Sequence, residues 1–205
     1  MLHHRCRSAS GSKRLSFIAS SYANSDTITI PTHQIGDFII IQSITYDLAT
    51  NSLPSGWTRI HTTQTLDSRF ICQTGYRIAT STSTTSGDWG AGANHYLACY
   101  VWRGTSSTST IGSSNSRLFD DSDLVIPGIT CDQGNSWIIS LAASIYYEVF
   151  TTDGEPTDLP GMTLRFNTST FRRAWDSNGP KSSLSQQTIS TASDVFYSIT
   201  FEVQI

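Results

Sequence analysis

The last eleven residues constrain this chain more than any other stretch. Val195, Tyr197, Ile199, Phe201, Val203 and Ile205 alternate with Phe196, Ser198, Thr200, Glu202 and Gln204. A period of two sends successive side chains to opposite faces of a strand. Sustained over this length, it predicts an antiparallel strand with one buried and one wetter face. At roughly 1.5–3 kcal/mol per buried side chain, the apolar face contributes on the order of 10 kcal/mol before chain entropy is counted. The rest of the chain has to supply a sheet for this strand.

Composition agrees. Ser and Thr together exceed a quarter of the 205 residues, and only 14% of the chain is charged. Ser and Thr hydroxyls compete with the helical backbone, whereas strands and turns accommodate them. No window joins helical periodicity to a capped start and stop. The expectation is an all-β fold, an antiparallel, jelly-roll-like β-sandwich. A chain of this length buries roughly 70% of its unfolded surface in one domain.

Strand signals recur between clusters of Gly, Pro, Asn, Asp and Ser, and they recur twice. Asp123-Leu124-Val125-Ile126-Pro127 echoes Thr27-Ile28-Thr29-Ile30-Pro31, and Gly134-Asn135-Ser136-Trp137-Ile138-Ile139 echoes Gly36-Asp37-Phe38-Ile39-Ile40. Leu159-Pro160-Gly161-Met162-Thr163 echoes Leu53-Pro54-Ser55-Gly56-Trp57-Thr58. Two copies are too few for a solenoid. They predict a pseudo-symmetric sandwich with half-repeats at about 26–103 and 123–205, a polar connector at 105–122, and each half contributing strands to both sheets.

The order Ile30-Pro31, Gly36-Asp37-Phe38-Ile39-Ile40, Pro54-Ser55-Gly56-Trp57-Thr58, Val101-Trp102-Arg103-Gly104, followed by the Pro160-Gly161-Met162-Thr163 half, resembles a β-sandwich domain of tailed-bacteriophage virion proteins. Domains of that kind occur in tail, fibre and head-decoration proteins. The resemblance covers residues 16–205 and rests on turn and core residues. It implies a non-enzymatic virion component that binds other virion subunits, as a head-decoration or cement protein or a tail component. By analogy it also implies a homo-oligomer, with a trimer as the expected form. The implied location is the virion, assembled in the host cytoplasm. The chain departs from the pattern in its N-terminal arm and in lacking acidic or Gly-rich loops in the first half.

That arm, residues 1–15, is basic. Arg5, Arg7, Lys13 and Arg14 stand there without an acid, so the remainder carries 13 − 4 = 9 basic against 16 acidic residues, a net −7. A basic arm on an acidic body suggests a docking arm for an acidic surface. Four charges give only weak, salt-sensitive attraction to nucleic acid, so no nucleic-acid partner is expected. Residues 15–20 are too few for a signal-peptide apolar region, and no membrane span is visible.

Catalytic and metal signatures are sparse. Cys6, Cys72, Cys99 and Cys131 are widely spaced without a CxxC pair, and Cys72 and Cys99 lie in apolar strand patterns. Pro54-Ser55-Gly56 reads as a turn and not as a nucleophile elbow. His33, His61 and His95 are the domain's histidines, and a Ser/His/Asp set would have to come from distant loops. Asp120, Asp121 and Asp123, like Asp153, Glu155 and Asp158, lack the spacing of a calcium loop, and His3-His4 is too short for a metal site. No catalytic residue, cofactor or metal is expected. The alternative function is a lectin-like tail-fibre module binding host surface glycan. Its ligand-facing aromatics would be Trp89 and Trp175, both in loops by composition, while Trp57, Trp102 and Trp137 belong to the core.

Overall fold

In the computed structural model, residues 14–46, 50–67, 69–91, 94–104, 109–134, 136–144, 159–167 and 172–205 are described. The first half supplies β1 (Ser16–Asn24), β2 (Phe38–Tyr46), β3 (Thr50–Asn51), β4 (Thr58–Arg59), β5 (Gln64–Leu66), β6 (Phe70–Ile78), β7 (Gly90–Ala91) and β8 (Asn94–Arg103). The second supplies β9 (Thr110–Ile126), β10 (Ile129–Thr130), β11 (Trp137–Ser144), β12 (Thr163–Asn167), β13 (Arg172–Asp176), β14 (Ser183–Leu184) and β15 (Gln187–Gln204). Among the described residues no helix is long and apolar enough to cross a membrane.

Two large antiparallel sheets form the sandwich. One runs β1-β8-β2-β6-β4 with β5 beside β6, and the other runs β12-β13-β11-β15-β9. Read from β9, the second order is β9-β15-β11-β13-β12, the same path as the first, strand for strand. The repeat is therefore a repeat of whole sheets. Each half builds one sheet alone and does not share its strands between both. The unit also begins a strand earlier in each half, at β1 and at β9. The stretch 105–122 is a connector only in part, because β9 starts at Thr110 and pairs with β15 as far as Gln204.

Why these segments are strands follows from what lies on each face. Phe38, Ile40 and Ile44 of β2 meet Trp137, Ile139 and Leu141 of β11 and Tyr197, Ile199 and Phe201 of β15 in the core between the sheets. The opposite faces are covered as well. Ile39, Ile41, Leu97, Cys99 and Val101 pack under Ile28, Ile30, Trp57 and Trp89. In the second half Ile138, Ala142, Trp175 and Phe196 pack under Leu124, Ile126, Leu159, Met162 and Leu184. Residues 123–126 reach that position as the end of β9, whereas residues 27–30 reach theirs with a single isolated bridge, Thr29 to Thr85. The equivalent turns match: Trp57 N–H donates to the Pro54 carbonyl and Met162 N–H to the Leu159 carbonyl. Gly56 and Gly161 take φ of +83° and +72°, a conformation open to glycine at little cost.

This layering corrects one expectation. The second face of the C-terminal alternation is not wetter: Phe196, Ser198, Thr200 and Glu202 are all fully buried. The polar members are hydrogen-bonded. Ser198 Oγ donates to the Val125 carbonyl at 2.6 Å, and Thr200 shares a bond with Ser140 at 2.9 Å.

Polar ties cross between the sheets. The Trp102 indole donates to Asp176 at 3.1 Å, and Thr74 bonds the Tyr197 hydroxyl at 3.1 Å. The two sheets lie crosswise by strand number, so that β1 faces β13, with Arg172 5.5 Å from the Tyr22 ring centroid. At the other side β9 meets the turn before β5, where Ser114 Oγ donates to the Ile60 carbonyl at 3.1 Å. In the first sheet, Arg103 grips Asp37 through two bonds of 2.9 Å, joining the Gly-Asp and Arg-Gly parts of the sequence pattern.

β15 is an interior strand of its sheet, between β11 and β9. Removing residues 195–205 exposes the core faces of both neighbours, and we expect a chain with no cooperative unfolding transition in urea. A soluble truncation with a sharp transition would show that the strand is dispensable.

Candidate functional site

No local sequence pattern marks a Ser/His/Asp constellation that the fold assembles. Asp26 follows β1, Ser43 lies in β2 and His95 is the second residue of β8. Pairing of β2 with β8 sets Thr45 opposite His95, which brings the imidazole next to Ser43 on the outer face. His95 Nδ1 lies 2.9 Å from Asp26 Oδ1, and His95 Nε2 lies 2.8 Å from Ser43 Oγ. This is the Asp–His–Ser order of a nucleophilic triad. Burial pushes the His95 pKa below its usual value, and Asp26 offsets part of that effect. A neutral ring that donates Nδ1–H to Asp26 leaves Nε2 to accept the Ser43 proton, the polarity a general base needs.

Access is the missing element. Ser43 and His95 have no exposed surface. The Ser43 hydroxyl has a second acceptor, Asn51 Oδ1, at 3.0 Å. Asn51 belongs to β3, which pairs with β7 over this part of the sheet, and it donates to the Ile71 carbonyl at 2.9 Å. Gln73 donates to Asn51, and Arg59 to Gln73 at 3.2 Å. The network ties β2, β3, β4, β6, β8 and the segment after β1 through side chains that would be costly to bury unpaired.

The second sheet has its own polar centre. Glu202 accepts from the N–H groups of Ser113, Asp132 and Gln133 at 3.0, 2.8 and 3.1 Å, and from the Ser136 hydroxyl. Burial alone would raise its pKa, but the hydrogen bonds from Ser136, Asp132, Gln133 and Ser113 prevail and hold it below the usual carboxylate value. A Cβ on Gly112 would stand 2.1 Å from Glu202 Oε2, so glycine there makes room for the carboxylate. With four donors on its oxygens, Glu202 has little capacity left for a metal. Asp176 is similarly engaged by Arg165 at 2.8 and 3.0 Å, by Trp102 and by the N–H of Asn178. Among the described residues no group of His, Cys, Asp or Glu is placed to hold a metal ion.

The residues singled out from sequence fare unevenly. Trp89 and Trp175 are both fully buried, which corrects their reading as ligand-facing rings. Trp89 packs edge-on to Trp57 at 5.1 Å between centroids, and Trp175 lies under the outer layer of the second sheet. Composition marked both neighbourhoods as loops, but the loop of Trp89 folds back over a sheet face that needs covering, and Trp175 is a residue of β13, paired with Ser140 of β11 and Leu164 of β12. Trp57, Trp102 and Trp137 are in the core as expected. Arg14 is exposed, while Arg5, Arg7 and Lys13 of the docking arm lie outside the described residues, as do His3, His4, Cys6, Asp153, Glu155 and Asp158. Cys72 and Cys99 are free, buried thiols whose pKa burial drives up; burial pushes Cys131 up to about 11, aided by Glu202 and Asp132. A raised thiol pKa lowers the reactive thiolate fraction. His33 is held by the carbonyls of Pro31 and Ser81, and His61 by Ser114.

Two open grooves can be placed among the described residues. One, of about 380 Å³, lies between residues 21–23 of β1 and segments 27–29 and 84–86. The other, of about 350 Å³, runs along β10 and β14. Neither is lined by a carboxylate, an imidazole or a thiol. Comparison of the chain with protein-family models, with curated proteins and with solved structures returns no match.

Two outcomes follow for these centres. A serine-directed fluorophosphonate should leave Ser43 unlabelled in the folded protein, and Ser43→Ala should cost about 1–3 kcal/mol of stability, because it leaves the buried His95 Nε2 without its partner and takes one donor from Asn51 Oδ1. Labelling of Ser43 at native conditions would instead make it a nucleophile. For Glu202, whose folded pKa is depressed, the stabilisation is complete above the ordinary glutamate value of 4.5 and is lost as pH falls through the folded value. Glu202→Gln should therefore be less stable at neutral pH and show a flatter loss of urea midpoint below about pH 4.5. An acid limb identical to that of the unsubstituted protein would place the titrating group elsewhere.

Proposed function

We propose that this chain is a non-enzymatic structural protein of a bacteriophage virion, binding other virion subunits as a head-decoration or tail component. The observation that carries the reading is the destination of the reactive side chains. Ser43 and His95 and the carboxylates of Asp37, Asp176 and Glu202 are all buried. Each is bonded to another part of the fold, and neither of the two grooves among the described residues carries one of them. The chemistry is spent on fastening two sheets and their covering loops. The resemblance adds the setting, since its motif residues are the turns and ion pair that fix this architecture: Gly56 at its turn, Asp37 with Arg103, and Trp57 donating to the Ser86 carbonyl at 2.8 Å. The burial of Trp89 and Trp175 removes the rings on which a glycan-binding reading stood.

Quantitative mass spectrometry of purified particles, scaled to the major capsid protein, tests this reading. A copy number comparable to that of the capsid protein places the chain on the head, and a small number matching tail symmetry places it on the tail. Complete particles without it would reject the virion role.

A further inference from the structure

Edge strands expose a row of unpaired N–H and C=O groups, and natural sequences blunt them with charge, proline or shortness. The outer strands of the two large sheets can be compared within this one chain. β4 and β5 have two and three residues. β12 carries Arg165, and β9 carries Arg117, Asp120, Asp121 and Asp123. β1 has nine residues with neither a charge nor a proline. In the shared topology β1 is the counterpart of β9, so the same edge strand is charged in one half and uncharged in the other. Tyr22, 42% exposed, is one of two large hydrophobic side chains exposed among the described residues, and it belongs to this strand.

We propose that β1 is a docking edge for β1 of a second copy, paired antiparallel across a two-fold axis so that the two six-stranded sheets become one. A strand that pairs with itself must not repel itself, and an uncharged strand satisfies that condition where β9 would not. A two-fold contact is also the commonest closed interface. The register follows from the period of two. Ala19, Ser21 and Ala23 pair with Val101, Cys99 and Leu97 on the outer face, whereas Ser20 and Tyr22 pair with Tyr100 and Ala98 on the face toward the other sheet. A register shift between Phe17 and Ala19 ends the regular stretch. An axis through Ser21 keeps every pair on matching faces: Ser21 meets its own counterpart, Ser20 meets Tyr22, and Ala19 meets Ala23. An axis through Ser20 runs into the irregularity, and one through Tyr22 loses Ala19. The groove of about 380 Å³ beside residues 21–23 leaves space for a longer side chain at 21. The contact is two-fold, unlike the trimer expected by analogy, and it does not depend on the virion reading.

Light scattering on the full chain reads this directly. The unsubstituted protein should show twice the monomer mass. Ser21→Lys and Ser21→Glu, each setting like charges directly opposite, should each fall to the monomer mass with an unchanged strand signal. An equal mixture of the two should regain the doubled mass. A monomeric unsubstituted protein, or a doubled mass that both substitutions leave intact, overturns the proposal. Should the variants fold poorly, amide exchange in the unsubstituted protein decides: β1 amides should slow as concentration rises, and concentration-independent exchange rejects the pairing.

Discussion

Both faces of both sheets have to be covered, and most of the structure follows from that requirement. A two-layer sandwich ordinarily leaves its outer faces to water. Here β2 and β11 are buried on both faces along nearly their whole length. Each half therefore needs a lid, and its own chain provides one. Ile28, Ile30, Trp57 and Trp89 cover the first sheet, and Leu124, Ile126, Leu159, Met162 and Leu184 cover the second. The Pro-Gly turns, the run before each Pro and the loop tryptophan all belong to these lids. Residues that look like surface punctuation along the sequence are in fact a third and fourth layer.

A buried hydroxyl, imidazole or carboxylate under such a lid is costly unless it is paired inside the protein, and the two halves place their paired groups at opposite ends of equivalent strands. Register aligns Phe38 with Trp137 and Trp102 with Val203, which makes Ser43 equivalent to Ala142 and His95 to Phe196. The Asp26–His95–Ser43 set thus falls where the second half is apolar. Conversely, Ser140, Thr200 and Glu202 stand where the first half has Ile41, Cys99 and Val101. If the shared architecture required a polar centre at a fixed place, the two would coincide. Their exchange indicates that either end of the outer face tolerates polarity once donors and acceptors balance. It also accounts for a Ser/His/Asp set arising without a hydrolase's open cleft.

How much of this was legible depended on whether the signal was local. Period-two alternation from Val195 to Ile205 identified β15, and the repeated Gly and Pro positions identified two halves, because both are written in short-range spacing. The solvent side of an alternating strand is not. Ser198, Thr200 and Glu202 read as a wet face since nothing nearby in sequence reveals that Ser113, Val125, Asp132, Gln133 and Ser136 come to bond Ser198 and Glu202. The start of β9 was hidden for a related reason. Its Ser, Asn and Asp content suits an edge strand that pairs on one side only, yet it reads as a connector by composition. Trp89 and Trp175 read as exposed because Gly, Asp and Asn flank them, although the Trp89 ring belongs to the lid of the first sheet and the Trp175 ring lies beneath the lid of the second. The Asp26–His95–Ser43 set could not be read at all: three residues on separate segments meet only through the β2–β8 register.

The low charge of the chain then acquires a physical meaning. Lids and sheets that bury hydroxyls at modest cost would bury charges at a much larger one, so Ser and Thr serve where Lys and Glu could not. The side effect falls on the edges. A sequence poor in charge has few residues with which to guard a strand, and it places them unevenly, four on β9 and none on β1. For a protein meant to remain alone in solution, a bare nine-residue edge is a hazard. For one whose role is to hold neighbouring copies in register, the bare edge is the useful surface, and the guarded counterpart in the same chain limits pairing to a single side.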